Sequence, residues 1–235
     1  MTTAEQEYLR LKQWLEETRD VPLEGMGAFF DARIDGYEDH MSPWRRHYHW
    51  MAELLPDGTA RLLDVGCGSG LELDAIFARF PEMEVVGIDL SAAMLRRLRE
   101  KHGDRKPRLI QGDYFREDLG AERFDAAVSF ESLHHFPAPR KRDLFARICR
   151  CLRPGGVYLE CDYIAASPDI EDLAFAECGR RRVRDGIPPE QFVHFDTPLT
   201  LEHELQAMKE AGFSAAELVG FLDGDPNTAM IRACR

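Results

Sequence analysis

From Arg61 onward, short apolar runs alternate along the chain with longer amphipathic ones. This alternation is typical of parallel strands joined by crossover helices, because each helix returns the chain to the end of the sheet at which the previous strand began. It predicts strands at residues 61–65, 85–89, 108–111, 124–130 and 157–162. It predicts helices between them at residues 71–80, 92–102 and 140–152. The fold class that follows is α/β, with an open and mostly parallel sheet.

The C-terminal part of the chain contains a turn that is too short for a crossover. Strands predicted at 216–221 and 229–234 are separated by D-G-D-P-N at 223–227. Strands joined so closely form a hairpin, so at least one of them must run antiparallel to the rest. We therefore expect seven strands, with an antiparallel strand at the C-terminus. Further helices are predicted at 168–184 and from P-L-T at 198–200 to residue 211.

About 60 residues precede the predicted sheet. They contain two helical stretches, 4–18 and 43–55, joined by the segment 29–42, and the second stretch is rich in aromatic residues and histidine. We expect residues 1–58 to form an N-terminal helical cap that packs its aromatic side chains on the sheet. Residues 59–235 would form the core, with an insertion around 163–199. A chain of 235 residues fits one such domain overall.

The first predicted strand ends in a glycine-rich turn, L-L-D-V-G-C-G-S-G at 62–70. Glycine at every second position lets the backbone turn sharply and approach a ligand, and the helix that follows presents free N–H groups. The second strand ends at Asp89, 19 residues beyond Gly70. A carboxylate there can accept hydrogen bonds from two ribose hydroxyls. Together these features predict nucleoside binding.

Five motifs carry a more specific resemblance: D-V-G-C-G-S-G at 64–70, G-I-D-L-S at 87–91, Q-G-D-Y at 111–114, F-D-A-A-V-S at 124–129 and L-R-P-G-G at 152–156. Their types and order resemble the class I S-adenosylmethionine-dependent methyltransferases over residues 61–162. The resemblance implies a Rossmann-like, seven-stranded sheet whose C-terminal strand is antiparallel. A dinucleotide dehydrogenase usually carries G-x-G-x-x-G, whereas the glycines here follow G-x-G-x-G with Asp64 ahead of them.

The resemblance implies S-adenosylmethionine as cofactor and S-adenosylhomocysteine as product. It assigns these residues to the cofactor site: Asp64, Gly66, Cys67, Gly68, Asp89, Leu90, Met94, Asp113, Tyr114, Phe130 and Glu131. Asp64 would help to place the amino group, Asp89 would bind the ribose, and Asp113 would accept from the adenine amine. For Asp113 an Asx turn after a strand is the alternative interpretation.

A sulfonium methyl group is already activated, so a base is needed only when the acceptor must lose a proton early. Ligands in open α/β sheets lie beyond the carboxyl ends of the strands. The candidate catalytic residues there are Glu131, His134 and His135. The two histidines could instead cap the next helix or pack on the sheet. No third ligand occurs at helical spacing, so we predict no metal site.

The cap and the insertion are expected to flank the same opening and to supply the acceptor pocket. The candidate pocket residues are Tyr37, Met41, Trp44, Tyr163 and His194. Aromatic lining favours a small, apolar or cationic acceptor. The net charge of −12 disfavours nucleic acid as a partner, and the N/D-P-P-Y/F signature of base-methylating enzymes is missing from 129–132. We interpret the basic clusters at 140–142 and 180–184 as solvated helix faces.

The remaining expectations concern location and assembly. No apolar run is long enough to span a bilayer, and the charged N-terminus is unlike a signal peptide, so we expect a cytoplasmic protein without a membrane partner. Six cysteines without a C-x-x-C pair indicate reduced thiols. A monomer or a homodimer is expected. Two alternatives to a methyltransferase stay open: a non-catalytic S-adenosylmethionine-binding protein and a nicotinamide-dependent Rossmann oxidoreductase.

Overall fold

The computed structural model describes residues 2–235 and contains one seven-stranded sheet in the order β3-β2-β1-β4-β5-β7-β6. The strands are β1 (Arg61–Val65), β2 (Glu84–Asp89), β3 (Arg108–Gln111), β4 (Phe124–Phe130), β5 (Leu152–Tyr163), β6 (Ala215–Leu222) and β7 (Asp225–Cys234). β1 to β5 are parallel. β7 lies between β5 and β6 and is antiparallel to both. The Rossmann-like sheet with an antiparallel C-terminal strand is thereby confirmed.

Eight α-helices surround the sheet in the described part of the chain. They are α1 (Thr3–Glu17), α2 (Met26–His40), α3 (Arg45–Leu54), α4 (Leu71–Arg79), α5 (Ala92–His102), α6 (Ala138–Cys151), α7 (Pro168–Asp185) and α8 (Leu201–Glu210). Side chains of α3, α4 and α5 form one apolar cluster on one face of the sheet. Side chains of α6 and α8 form a second cluster on the other face. The predicted core helices differ from these bounds by at most two residues at either end.

The segment 29–42, expected to be only a connection, lies largely within helix α2, so the N-terminal cap contains three α-helices rather than two. The sequence of α2 contains Gly27 and Gly36 and has no single apolar face, which hid it from periodicity. Tertiary contacts hold it instead. Asp31 Oδ1 accepts hydrogen bonds from Ser91 Oγ at 2.5 Å and from Ala93 N at 3.4 Å, at the start of α5.

The cap reaches the sheet mainly through α3. Tyr48 packs its ring against Phe130 of β4 with 4.6 Å between centroids, as expected for an aromatic cap. α1 packs instead against α7, the helix of the insertion. The Trp14 ring of α1 lies 6.0 Å from that of Phe195, which follows α7. The cap and the insertion are therefore joined to each other on the outside of the core.

The interpretation of the two basic clusters as solvated helix faces is wrong for two of their members. Lys141 is 1% exposed, and its Nζ lies 2.6 Å from Glu204 Oε2 and 3.4 Å from Glu160 Oε1. Arg181 is 2% exposed and donates to Glu177 Oε1 at 2.7 Å. Each charge is buried because neighbouring carboxylates compensate its desolvation, which helical spacing alone does not reveal.

Two further properties follow from the described residues. All six cysteines are free thiols, which agrees with the expectation from their spacing. No helix within residues 2–235 combines the length and the apolar character needed to cross a bilayer.

Candidate active site

The glycine-rich turn leaves β1 and enters α4 through three residues with left-handed backbone. Gly66, Gly68 and Gly70 have φ of 73°, 47° and 70°. Gly66 is the most constrained, because a Cβ there would lie 1.9 Å from Ser132 Oγ. The backbone N–H groups of Gly66 and Cys67 both donate to the Ile88 carbonyl, at 2.8 and 3.2 Å. This pairing fixes the turn directly beside the end of β2.

Asp89, at the end of β2, is bonded to the turn. Its Oδ2 accepts from Gly68 N at 3.0 Å, and its Oδ1 accepts from Ser91 N at 2.8 Å. Burial raises the pKa of Asp89, and the two backbone N–H groups oppose that shift. Each carboxylate oxygen keeps a second lone pair, so the group can still accept from a ligand diol.

Asp64 lies beneath the turn and is 1% exposed. Burial, followed by the nearby Glu72 carboxyl at the start of α4, raises its pKa well above the ordinary value. Neither Asp64 carboxylate oxygen has a hydrogen-bond partner within the described residues 2–235. Cys67 is also buried, with its Sγ in the space that a side chain at Gly87 would need. Both residues support the turn from behind.

A cleft opens between the turn, the end of β4 and helix α2. It is lined by Met26, Gly27, Phe30, Tyr37, Gly66, Gly68, Asp89, Leu90, Ser91, Met94, Tyr114, Phe130, Glu131, Ser132 and His135. We call it the cofactor cleft, after the eight predicted cofactor residues that it contains. Asp64, Cys67 and Asp113 do not line it.

Asp113 follows β3 and has a local role. Its Oδ1 accepts from Phe115 N at 2.9 Å, which is the Asx turn given above as the alternative. Its Oδ2 lies 3.4 Å from Arg116 Nε. Tyr114, the next residue, turns the other way into the cleft. The predicted contact between Asp113 and adenine stays a prediction.

Glu131 stands at the carboxyl end of β4 with a left-handed backbone, φ 44°. Its N–H donates to the Cys161 carbonyl at 2.8 Å, which holds this conformation against the neighbouring strand β5. Burial raises the pKa of Glu131 to about 8. Its Oε1 is buried and has no hydrogen-bond partner among residues 2–235. A non-glycine residue in such a conformation at a strand end is a common feature of functional sites.

His134 is held by a carboxylate from β5. Its Nδ1 lies 2.5 Å from Asp162 Oδ1, and Asp162 Oδ2 accepts from Leu133 N at 2.8 Å. Burial disfavours a charged imidazole, but the Asp162 carboxylate outweighs it and raises the pKa of His134. The predicted catalytic histidine is thus fixed in orientation by a buried acid.

A second carboxylate, from the loop after α7, faces both histidines. Asp196 Oδ1 lies 3.5 Å from His134 Nε2 and 3.3 Å from His135 Nδ1. The His135 nitrogen also lies 3.2 Å from the Phe195 carbonyl oxygen. Burial, followed by the neighbouring His134 charge, lowers the pKa of His135. The two adjacent histidines therefore differ in their electrostatic surroundings.

A larger cavity of about 870 Å³ adjoins the cofactor cleft, and we call it the acceptor pocket. Its lining comprises Phe29, Phe30, Arg33, Gly36, Tyr37, His40, Met41, Trp44, Glu131, His134, His135, Tyr163, His194, Asp196, Asp225, Asn227 and Thr228. All five predicted pocket residues and all three predicted catalytic residues are among them. Four residues, Phe30, Tyr37, Glu131 and His135, line both the pocket and the cleft.

Sequence analysis missed the contribution of α2 to these walls. Phe29 stacks on His194 with 3.4 Å between ring centroids, and Phe30 separates the cleft from the pocket. Burial, followed by the nearby His135, lowers the pKa of His194 to about 3. The aromatic pair at 29–30 was the available signal, but its apolar neighbours at helical spacing, Met26 and Ile34, are too few to form a continuous apolar face.

Comparisons with known proteins agree with this geometry. The family profile described as a methyltransferase domain matches residues 62–156. An uncharacterized methyltransferase of Mycobacterium tuberculosis is 32% identical over 174 residues, which are 70% of this chain and 85% of that protein. The 24-methylenesterol C-methyltransferase 2 of Oryza sativa is 32% identical over 148 residues, 61% of this chain but only 40% of the plant protein.

Solved structures share the fold. The S-adenosylmethionine-dependent methyltransferase SibL in its apo form superposes with a TM-score of 0.66, covering 99% of this chain and 70% of SibL at 16% identity. At that identity the likeness concerns the fold alone, whereas the mycobacterial relative is similar in sequence over most of its length. The fold and these relatives agree with the motif order, and the chain belongs to the class I methyltransferase family.

Proposed function

We propose that this protein transfers a methyl group from S-adenosylmethionine to a small-molecule acceptor and releases S-adenosylhomocysteine. The observation that carries the proposal is the shared wall between the cofactor cleft and the acceptor pocket. Phe30, Tyr37 and Glu131 line both spaces, so ligands in the two would meet beside the end of β4. In-line methyl transfer requires that kind of juxtaposition.

The residues that line the cleft offer the contacts that S-adenosylmethionine needs, and because the cleft itself holds only about 50 Å³, admitting the cofactor requires its wall at α2 to shift. Asp89 can accept from both ribose hydroxyls while it stays bonded to the turn. Leu90 and Met94 offer an apolar surface for the adenine ring. The buried Oε1 of Glu131, which lacks a partner among the described residues, suits the positively charged end of this cofactor.

Bound S-adenosylmethionine supplies an activated methyl group on a sulfonium. The protein's part is to align the acceptor and exclude water, and proximity of that kind can provide about 7–11 kcal/mol. Glu131 faces the meeting point of the two spaces, where the positive charge of the bound cofactor would favour its ionised form, and this carboxylate would accept the proton that the acceptor group loses. His134, held by Asp162, stands next to it.

The acceptor pocket supports a small molecule of mixed character. Its volume of about 870 Å³ lies within the usual range for sites of drug-sized ligands. Phe29, Trp44 and Tyr163 provide flat apolar surface, while Arg33 and Asp225 provide charge. A sterol is the acceptor named for the rice relative, but it would present a largely apolar surface to a wall that also carries Glu131, His134 and Asp196, so we favour an acceptor with polar groups.

Calorimetric titration with S-adenosylmethionine, S-adenosylhomocysteine and NAD tests the cofactor. We expect micromolar binding of the two sulfur nucleotides and none of NAD, whereas binding of NAD alone would overturn the proposal. Asp89→Ala should weaken S-adenosylhomocysteine binding about tenfold or more, because hydrogen bonds to a charged group are lost. The exposed Asp104→Ala is the matched control and should bind as the parent does.

Methyl transfer itself is tested by release of S-adenosylhomocysteine over a panel of small phenols, amines and carbon acids. Glu131→Gln should lower the turnover of any accepted compound about 100-fold or more at saturating cofactor, and it should also weaken cofactor binding, because it removes the negative charge that faces the positive end of the cofactor. A protein that binds the cofactor tightly but methylates no member of a broad panel would favour the non-catalytic alternative.

A further inference from the structure

Three side chains on the wall of the acceptor pocket, His134, His135 and Asp196, converge on one point, and we name them the His-His-Asp trio. We propose that this trio binds a divalent transition-metal ion. The proposal departs from the absence of a metal predicted from the sequence, because that prediction considered ligands at helical spacing only. Asp196 lies 61 residues beyond His135 and comes close only through folding.

The separations of the donor atoms suit a tetrahedral ion. One ligand atom from each residue lies within 4.8 Å of the other two. Asp196 Oδ1 is 3.5 Å from His134 Nε2 and 3.3 Å from His135 Nδ1. Metal bonds of about 2.0–2.2 Å at tetrahedral angles place neighbouring donors about 3.3–3.6 Å apart. Both measured distances fall within that range.

The surroundings of His134 supply an outer carboxylate. Asp162 accepts from His134 Nδ1 and is itself fixed by the backbone N–H groups of Leu133 and Tyr163, at 2.8 and 2.9 Å. With Nδ1 held by Asp162, Nε2 is the nitrogen that faces Asp196, and an ion bound there would displace its proton. Metal-binding histidines commonly donate their other nitrogen to a carboxylate in this way.

A second group of possible ligands, Glu131, His134 and Asp162, shares His134 but fits a metal less well. There the histidine would have to use Nδ1, which already lies at hydrogen-bonding distance from Asp162. That site would also have a single nitrogen donor. The His-His-Asp trio leaves the short Asp162 bond intact and would replace only the longer contact of 3.2 Å between His135 Nδ1 and the Phe195 carbonyl oxygen, so it is the better site.

The donors also indicate which ion. Two imidazoles and one carboxylate suit Zn²⁺ or Fe²⁺, whereas Mg²⁺ and Ca²⁺ prefer sites made of oxygen. The Asp196 side chain is 48% exposed, so an ion can reach the trio from the pocket. Three protein ligands leave at least one position open to water or to an acceptor oxygen. If the proposed methyl transfer holds, the ion would favour acceptors that carry a hydroxyl group beside Glu131.

The test is titration of metal-free protein with Co²⁺, followed by its visible absorption, and with Zn²⁺ by calorimetry. We expect one equivalent of each ion to bind, with the intense visible bands of tetrahedral cobalt. Asp196→Ala and His135→Asn should each weaken binding about tenfold to 100-fold or more. His40 and Asp225 are residues of metal-binding type that line the same pocket but do not belong to the trio. His40→Asn and Asp225→Asn are therefore the control variants and should bind the ions as the parent does.

Asp162→Asn adds a readout that a purely structural role would not move, since it should weaken binding about 10- to 100-fold without removing a ligand. Circular dichroism establishes that each variant is folded. Asp196→Ala is the variant least prone to misfold, because the Asp196 side chain is 48% exposed although its neighbours Phe195 and Thr197 are buried. Absence of one-to-one binding, or undiminished binding in Asp196→Ala and His135→Asn, would overturn the inference. Co²⁺ binding without any binding of S-adenosylmethionine would instead contradict the proposed function and still support the metal site.

Discussion

Gly66 shows how much a single residue decides in this site. Its φ of 73° and the distance of 1.9 Å between a built Cβ and Ser132 Oγ leave no room for a side chain. Ser132 belongs to the segment after β4 that also positions Glu131. A change at Gly66 would therefore disturb the turn and the meeting point of the two pockets together.

Gly66→Ala should consequently weaken S-adenosylhomocysteine binding about tenfold or more in calorimetric titration. Gly179→Ala is the matched control, because a Cβ in the interior of α7 meets no atom within 4 Å. That variant should bind normally and unfold at slightly higher urea concentration, since alanine favours a helix over glycine. Unchanged binding by Gly66→Ala would contradict the assignment of the turn to the cofactor.

At the residue scale, the sequence predicted which residues are near the site better than it predicted what each of them does there. Asp89 and Asp113 both follow a strand in a motif of the family, so the sequence offered no means of separating them. In the structure each accepts from the backbone N–H two residues on, but only Asp89 also accepts from Gly68 N of the glycine-rich turn and lines the cofactor cleft. The difference depends on which way the backbone turns after each strand, and residue type does not encode that direction.

Among the elements, α6 is tied to its neighbours by a buried charge. Lys141 on α6 contacts Glu204 on α8 and Glu160 on β5. Tyr158 extends the network, since its hydroxyl donates to Glu160 Oε2 at 2.9 Å and lies 2.6 Å from Ser129 Oγ. The two carboxylates raise the pKa of Lys141 above its ordinary value despite burial. This network orients α6 and α8 against the face of the sheet that they cover.

Lys141→Met should therefore lower the free energy of unfolding by about 3–5 kcal/mol, because it leaves two buried carboxylates without a counter-charge. Arg142→Met, one residue along α6, removes a half-exposed partner of Glu210 and should cost about 1 kcal/mol or less. Urea denaturation of both variants gives the comparison. Equal and small losses would mean that the network contributes little to stability.

At the scale of the elements, the sequence predicted strands more completely than helices. β1, β3 and β4 have the bounds predicted from apolar runs, because a buried strand is recognisable from its own residues. Helix α2 was not predicted from the sequence, because its helical state depends on tertiary contacts. It bonds to the start of α5 and lies between the cofactor cleft and the acceptor pocket. The burial of Lys141 was not predicted for the same reason, since its partners lie on other elements.

Across the whole molecule, the cap and the core meet at the site. Helix α2 contributes Met26, Gly27, Phe30 and Tyr37 to the cofactor cleft. Its Asp31 accepts a hydrogen bond from Ser91 at the start of α5. The loop after α7 contributes His194 and Asp196 to the acceptor pocket. A ligand in either space would therefore contact two segments that lie outside the sheet.

Saturating S-adenosylhomocysteine should slow hydrogen exchange in the amides of α2, because a ligand in the cleft would contact that helix and stabilise its packing against the core. The turn at Asp223 and Gly224 lies outside the residues that line the cleft and serves as the internal control. Exchange measured by mass spectrometry with and without ligand gives the result. Protection confined to the glycine-rich turn, with none in α2, would show that the cap does not respond to the cofactor.

The sequence by itself determined the parallel sheet, the antiparallel C-terminal hairpin and the position of the glycine-rich turn. Each of these depends on short-range rules: the alternation of apolar runs, the length of a connection, and the freedom of glycine to adopt positive φ. Only the tertiary structure decided that α2 is a helix, that Lys141 is buried, and that Asp196 faces His134 and His135. The physical reason is that these features depend on contacts between residues about 60 positions apart, and such contacts exist only once the chain has folded.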